Sequence, residues 1–189
     1  MALQKTVDKW KMKRWFTVHA PKSFNEEKIC EMPANDEKQV MNRKLRVSME
    51  QLTHNPQNSF SNVVVRVTDV NGDVVHTKLI MIEQPYSYIR SLVRRYRSVA
   101  SAVVPIMAKN NEKMVLKAIC VTRSRVTNAR LKGIRKEMTD FIKEFAKENS
   151  SDAVAAAVIE GRLQSEIAGK VSHITPISKV EFRKIEILS

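Results

Sequence analysis

Val63-Val64-Val65-Arg66-Val67-Thr68-Asp69-Val70, then Asn71-Gly72, then Asp73-Val74-Val75-His76-Thr77-Lys78-Leu79-Ile80-Met81-Ile82: this stretch decides the fold. β-Branched residues crowd both sides of an Asn-Gly pair. β-Branched side chains suit a pleated, half-buried surface. Asn-Gly suits a tight type I′ turn, because both central residues need positive φ. The stretch therefore predicts an antiparallel hairpin, Val63–Val70 against Val74–Ile82.

Working outward, a second hairpin is predicted from Val99–Met107, a turn at Asn110-Asn111, and Met114–Thr122. Pro105 lacks a ladder donor, which places its strand at an edge or a bulge. Leu45, Val47 and Met49 alternate with Arg46 and Ser48, the pattern of a strand with one wet face. His54–Asn62 is polar and holds Pro56, so it reads as a loop. A last strand is expected over Val180–Leu188. Val180 and Phe182 share one face while Ile185 and Ile187 sit on the other phase, so a bulge near Lys184 or burial on both faces is expected.

Helical periods fill the gaps. Pro85 opens a segment in which Ile89, Leu92, Val93 and Tyr96 make one apolar face and Arg90, Arg94 and Arg97 the opposite one. The longest helix is predicted over residues 127–147, with Ile134, Met138, Phe141, Ile142 and Phe145 as its apolar stripe. Lys132, Lys136, Lys143 and Lys147 fall on the far side at 100° per residue. Asp152–Glu160 and Arg162–Ala168 read as two short helices. Gly161 and Gly169 follow them, where left-handed caps are expected. The fold class is α+β: a mostly antiparallel sheet of six to seven strands flanked by helices, a strand number compatible with barrel-like closure. Residues 1–24 read as a basic, aromatic arm, and residues 25–189 as a single domain whose part beyond about residue 150 is neutral.

Composition excludes several function classes. The four glycines are dispersed, so no glycine-rich loop is left to cradle a nucleotide. The two cysteines, Cys30 and Cys120, form no C-x-x-C pair; each sits in an apolar run and reads as a buried thiol in a reducing compartment. His19, His54, His76 and His173 lack metal-ligand spacing, and Asp69 and Asp73 read as turn residues. No catalytic set, cofactor or metal is expected. There is no run of about 18 apolar residues and no signal-peptide pattern, so a cytoplasmic location off the membrane is expected.

The net charge of +13 is unevenly placed. Residues 90–136 hold 13 Lys and Arg against one acid, Glu112. The first 22 residues hold six bases against Asp8, while the remainder of the chain sums to −4. Such asymmetry fits a polyanion, since each base set against a phosphate releases condensed counterions. RNA is the leading partner; acidic membranes, acidic proteins and a generically basic surface are the competing readings.

Three constellations follow. Arg90, Arg94, Arg95 and Arg97 cluster without a nearby carboxylate, and Arg suits bidentate phosphate contacts. A solvated helix face is the plainer reading, but such faces usually interleave Glu. Arg123, Arg125, Arg130, Lys132, Arg135 and Lys136 occupy a strand-to-helix connection and the first helical turns, where cations oppose the helix dipole and an external anion would compensate. Lys11, Lys13 and Arg14 interleave with Trp10 and Trp15. These indoles suit base stacking or anchoring in the core; anchoring is favoured for Trp15, with the two readings even for Trp10.

Together these segments resemble one family, the archaeal and eukaryotic small-subunit ribosomal proteins called S-three-a in eukaryotes and S-one-e in the unified naming. The resemblance rests on Trp10-Lys11-Met12-Lys13-Arg14-Trp15 with Val18, Ala20-Pro21 and Phe24, and on Asp69-Val70-Asn71-Gly72. It rests further on Tyr88-Ile89-Arg90-Ser91-Leu92-Val93-Arg94-Arg95, on Ile134-Arg135-Lys136-Glu137-Met138, and on Pro176 through Val180-Glu181-Phe182-Arg183-Lys184. Thr175 and Ala129-Arg130 depart from the family's usual Tyr and polar pair. Lacking the eukaryotic C-terminal extension, the chain looks like the shorter archaeal type.

The resemblance implies a structural constituent of the small subunit, seated on the platform near the messenger exit. It implies ribosomal RNA and neighbouring ribosomal proteins as partners, with messenger RNA close by, no homo-oligomer and no catalysis. By position it carries over Lys11, Lys13, Arg14, the Arg90–Arg97 cluster, Arg135 and Lys136 as RNA contacts. An RNA-processing enzyme and a transient assembly factor are the rivals.

Overall fold

The structure, a computed structural model, describes residue 10 and residues 12–188. Among them lie eight strands and six α-helices in an α+β arrangement. The strands are β1 (Arg14–His19), β2 (Lys28–Ala34), β3 (Lys44–Ser48), β4 (Asn62–Asn71), β5 (Val74–Glu83), β6 (Val99–Met107), β7 (Lys113–Thr122) and β8 (Ile177–Leu188). The helices are α1 (Glu37–Val40), α2 (Met49–Thr53), α3 (Tyr86–Leu92), α4 (Asn128–Glu148), α5 (Ser151–Ile159) and α6 (Arg162–Val171). The sheet is open and runs β2-β1-β5-β8-β7-β6, with β4 also on β5 and β3 on β4. All pairings are antiparallel except β1 with β5.

Both hairpins form. In the first, Asn71 pairs with Val74, so the loop is Gly72-Asp73 rather than Asn71-Gly72. Gly72 alone takes positive φ (61°), the pattern of a type II′ turn and not the expected I′. In the second, β6 pairs with β7 without a register shift and lies at the sheet edge. Ser98 and Ala108, which flank β6, both hydrogen-bond toward the β7 side. Alternation along an antiparallel ladder then turns the odd-numbered backbone groups outward. Pro105 is odd-numbered, so its missing N–H costs no bond, and it blunts the open edge. In β8 the register with β7 shifts between Lys184 and Phe182, leaving Arg183 as the extra residue. That bulge resolves the phase switch between Val180/Phe182 and Ile185/Ile187, all four of which are buried.

Helix α4 covers β6 with Ile134, Met138, Ile142 and Ala146 buried and Phe141 and Phe145 partly so. Each fully buried Ile or Met stabilises by about 1.5–3 kcal/mol relative to exposure. Leu163 and Ile167 of α6 and Val154 and Val158 of α5 extend the same core. Gly161 takes the left-handed conformation between α5 and α6 (φ 78°). Gly169 lies inside α6 and caps nothing, because α6 runs on to bury Val171.

Other expectations change. Residues 14–24 are not arm: β1 joins the sheet, with Phe16 and Val18 buried in a second cluster beside Met32, Val40, Val67 and Val75. Met49 opens α2 instead of extending β3, and points its side chain into the core. The Pro85 helix stops at Leu92. Val93 is extended, Arg97 N–H reaches Arg94 C=O in a turn, and Tyr96 is left-handed (φ 63°). Continued helix would stack Arg90 on Arg94 at i, i+4, which like charges disfavour. The chain must also turn back to start β6 at Val99.

Candidate nucleic-acid interface

The turn after α3 and the β7–α4 connection are pinned together. Thr122 is fully buried and its hydroxyl takes the Ser98 N–H at 3.0 Å; Thr122 N–H donates to Ser98 C=O, also at 3.0 Å. Ser98 Oγ accepts the N–H of Val126 at 3.1 Å. Arg123 N–H donates to Pro176 C=O at 3.0 Å, and the Arg97 guanidinium donates to Ser178 Oγ at 3.0 Å. Arg94, Arg95, Arg97, Arg123 and Arg125 thus stand at one end of the sheet, where β6 and β8 begin and β7 ends. Arg130, Lys132, Arg135 and Lys136 lie exposed on the first turns of α4, which start at this end. The Arg90–Arg97 group is therefore not one helix face: Arg90 is on α3, and Arg94, Arg95 and Arg97 are in the turn beyond it.

Helix α3 is seated by Ile89, which packs with Ile119 and Val121. Tyr88 O–H donates to Glu181 at 3.2 Å and accepts from Lys179 at 2.7 Å. Gln84 donates to the other Glu181 oxygen at 2.8 Å. Burial alone would lower the pKa of Lys179, but its bonds to Glu181 and Tyr88 prevail and raise it. Arg90 stacks on Tyr86 at 4.8 Å, with Arg183 on the same ring at 5.6 Å. Tyr86, Ser178, Lys179 and Arg183 belong to this end yet escaped the sequence reading. The segment after residue 150 sums to zero charge, which hides that the start of β8 delivers Ser178 and Lys179 to the arginines.

Lys13 and Arg14 do not join this cluster. Thr17 pairs with Val74, which puts Arg14 beyond the hairpin turn, while α3 follows the opposite end of β5. Ten residues of β5 at about 3.3 Å each separate the two groups by about 30 Å. Lys13 sits over the Trp10 ring at 4.1 Å. Trp15 is 56% exposed and does not anchor in the core, because β1 turns Phe16 and Val18 inward in alternation. Lys11 lies outside the described residues.

Ion pairs take up a minority of the described bases, and the candidate residues share their unpaired state with others, among them Lys44, Arg66, Lys109 and Lys113. Seven Lys or Arg ion pairs occur among the described residues, at Lys28, Arg46, Lys78, Lys117, Arg162, Lys179 and Lys184, and His54 and His173 each lie against a glutamate. None of the candidate residues is in that set. Glu112, the one acid of the cationic window, sits at the opposite end of β7. The hydrogen bond from Lys78 (2.7 Å), then that from Ser151, holds its carboxyl below the usual range. Helix α4 has no acid in its first turn, and its N-cap Thr127 makes no side-chain cap bond. The candidate cations are therefore left without ion-pair partners among the described residues, while Glu181 at this end is taken up by Lys179 at 2.8 Å. Among the described residues no group of three or more His, Cys, Asp or Glu could hold a metal ion, and no helix is long and apolar enough to cross a membrane.

The described residues thus form an α+β chain with a cluster of arginines and lysines at one end of its sheet. Over residues 2–189 the sequence matches the model of the ribosomal S3Ae family. It is 33% identical over 181 residues to small ribosomal subunit protein eS1 of Sulfurisphaera tokodaii, covering 96% of this chain and 94% of that one. It is 30% identical over 188 residues to the eS1 protein of Methanobrevibacter smithii, covering 100% and 97%, and 30% identical over 172 residues to that of Haloarcula marismortui, covering 91% and 81%. The chain belongs to the ribosomal S3Ae family, and as such is a structural, non-enzymatic ribosomal protein.

Proposed function

We propose that this ribosomal protein is a constituent of the small subunit that holds ribosomal RNA on the platform near the messenger exit. Its cationic end neutralises phosphates where RNA segments converge. Lys13 and Arg14, about 30 Å away along β5, contact a second segment, and the sheet between them fixes the spacing. Neighbouring ribosomal proteins, and messenger RNA at the exit, are its other partners. It works as a single copy in the cytoplasmic ribosome.

The observation that carries this reading is the convergence of Arg94, Arg95, Arg97, Arg123 and Arg125 on one end of the sheet, pinned there through Ser98 and Thr122, with no ion pair to any of the five among the described residues. The test is binding of the pure chain to small-subunit RNA across a salt series. Six to ten engaged phosphates give a slope of log affinity against log salt of about −4 to −9. A slope near zero contradicts the reading.

A further inference from the structure

The four residues Arg94-Arg95-Tyr96-Arg97 do two things that phosphate neutralisation alone does not require. First, they close one side of a small cleft lined by Ser91, Leu92, Arg94, Arg97, Ser178 and Lys179. Its volume, about 270 Å³, exceeds that of a phosphate group. The lining brings two guanidiniums, an ammonium and two hydroxyls to one place. Arg97 is aimed there by its bond to Ser178, and Lys179 is held by Tyr88 and Glu181. Neither Arg94 nor Arg97 pairs with a carboxylate among the described residues. Arg suits this place, since its planar fork matches phosphate oxygens two at a time.

Second, the turn pushes an aromatic ring outward. Tyr96 is 80% exposed, and it is left-handed, a conformation that a bulky residue rarely takes. The ring has no core to serve from there. Strained backbone of this kind concentrates at binding sites, where the surrounding structure holds it in place. A bare aromatic face among arginines is what single-stranded RNA uses: its bases are unstacked and free to lie on a ring, while the phosphates meet guanidiniums. A duplex offers phosphates alone, because its bases are already stacked.

We infer that the Arg94–Arg97 turn is a clamp for one unpaired nucleotide, with a backbone phosphate in the Ser91/Arg94/Arg97/Ser178/Lys179 cleft and a base stacked on Tyr96. The clamp rests on the RNA-binding reading above and sharpens it from general phosphate contact to a preference for an unpaired segment. Tyr96 supplies the stacking face. Arg94 and Arg97 supply the charge. Ser178 is a positioning residue that aims Arg97.

The test uses the full chain, a fluorescein-labelled 12-nucleotide single-stranded oligoadenylate, and a labelled 12-base-pair RNA duplex, with binding followed by anisotropy at fixed salt. Tyr96→Ala is expected to weaken the single strand about fivefold or more while leaving the duplex within about twofold. Tyr96→Trp should retain single-strand binding, and Tyr96→Asn, which tolerates the left-handed turn, should lose it as Ala does. The Asn variant separates lost stacking from a disturbed turn. Arg97→Ala should weaken both probes, and Ser178→Ala should weaken both by less.

Single-strand binding by Tyr96→Ala within twofold of the parent would overturn the clamp, as would an equal loss on both probes. In either case a steep salt slope for the parent chain would leave the broader reading standing. A parent chain that binds neither probe would remove both.

Discussion

The two ends of the β6–β7 hairpin are made from the same window of sequence and put their hydrogen bonds to different uses. At the Glu112 end, the carboxylate is tied to Lys78 at 2.7 Å, to Asn110 at 3.2 Å, and to Ser151. At the Arg123 end, hydrogen bonds through Ser98 and Thr122 hold the backbone, while Arg94, Arg95, Arg123 and Arg125 are exposed and without ion pairs. The difference separates two uses of polar residues. One end ties its single acid into hydrogen bonds that hold the chain together, although Lys109 and Lys113 beside it stay exposed and unpaired among the described residues. The other spends its hydrogen bonds on placing charges that it does not neutralise.

The largest effect should come from stripping the cationic end. Replacing Arg90, Arg94 and Arg97 together with Ala is expected to lower affinity for small-subunit RNA tenfold or more and to flatten the salt slope by about 2–3. The unfolding midpoint in urea should move little, because these side chains bury little surface. Equal incorporation of that variant into subunits would erase the distinction between the ends.

Next comes the frame that places the arginines. Thr122→Val leaves the Ser98 N–H without its side-chain acceptor in a buried site, at a cost of about 1–3 kcal/mol in urea unfolding. Affinity should fall as well, since both arginine-bearing segments hang on that contact. An unchanged midpoint would show that the pinning is incidental.

The opposite end yields a pH signature. The Glu112 carboxyl titrates below its usual range because Lys78, then Ser151, hydrogen-bond its charged form. A depressed folded pKa contributes stability that is present above the unfolded value and lost as pH falls through the folded one. Stability should therefore decline below about pH 4.5, and Glu112→Gln should shallow that decline while lowering neutral-pH stability by about 1 kcal/mol or less. An unaltered acid limb in the Gln variant would sink the assignment. RNA affinity at neutral pH should stay the same.

Smallest of all, Arg162→Ala breaks an exposed i, i+4 pair with Glu166 on α6 and should shift stability by no more than about 0.5 kcal/mol, with no effect on RNA. A loss of RNA binding would show that the cationic surface reaches further than the β7–α4 end.

Long periodic elements were readable from sequence, because burial imposes a period that side chains report. Val99–Met107 and the Ile134/Met138/Ile142 stripe needed no correction. Gly72 marked its turn, though one residue off, since pairing of Asn71 with Val74 is a tertiary outcome. The bulge at Arg183 was visible as a phase switch between Phe182 and Ile185.

What failed was set by contacts distant in sequence. Phe16 and Val18 alternate within a strongly basic segment, so β1 looked like an arm; β2 pairs with it along its whole length, and β5 docks it on the sheet through Thr17 and Val18. Tyr96 sits at a helical spacing from Ile89, but the return of the chain to β6 ends the helix first. Charge positions were legible; their convergence was not. Arg97 and Ser178 lie 81 residues apart, and nothing in either segment announces the other.

The most direct measurement is a density map of the assembled small subunit resolving side chains around the β7–α4 connection. It should show phosphate oxygens within about 3 Å of the guanidiniums of Arg94, Arg97 and Arg123, a hydrogen-bonded ion-pair distance. Arginines that face bulk solvent or a neighbouring protein's carboxylates, with no nucleotide beside them, would contradict the account.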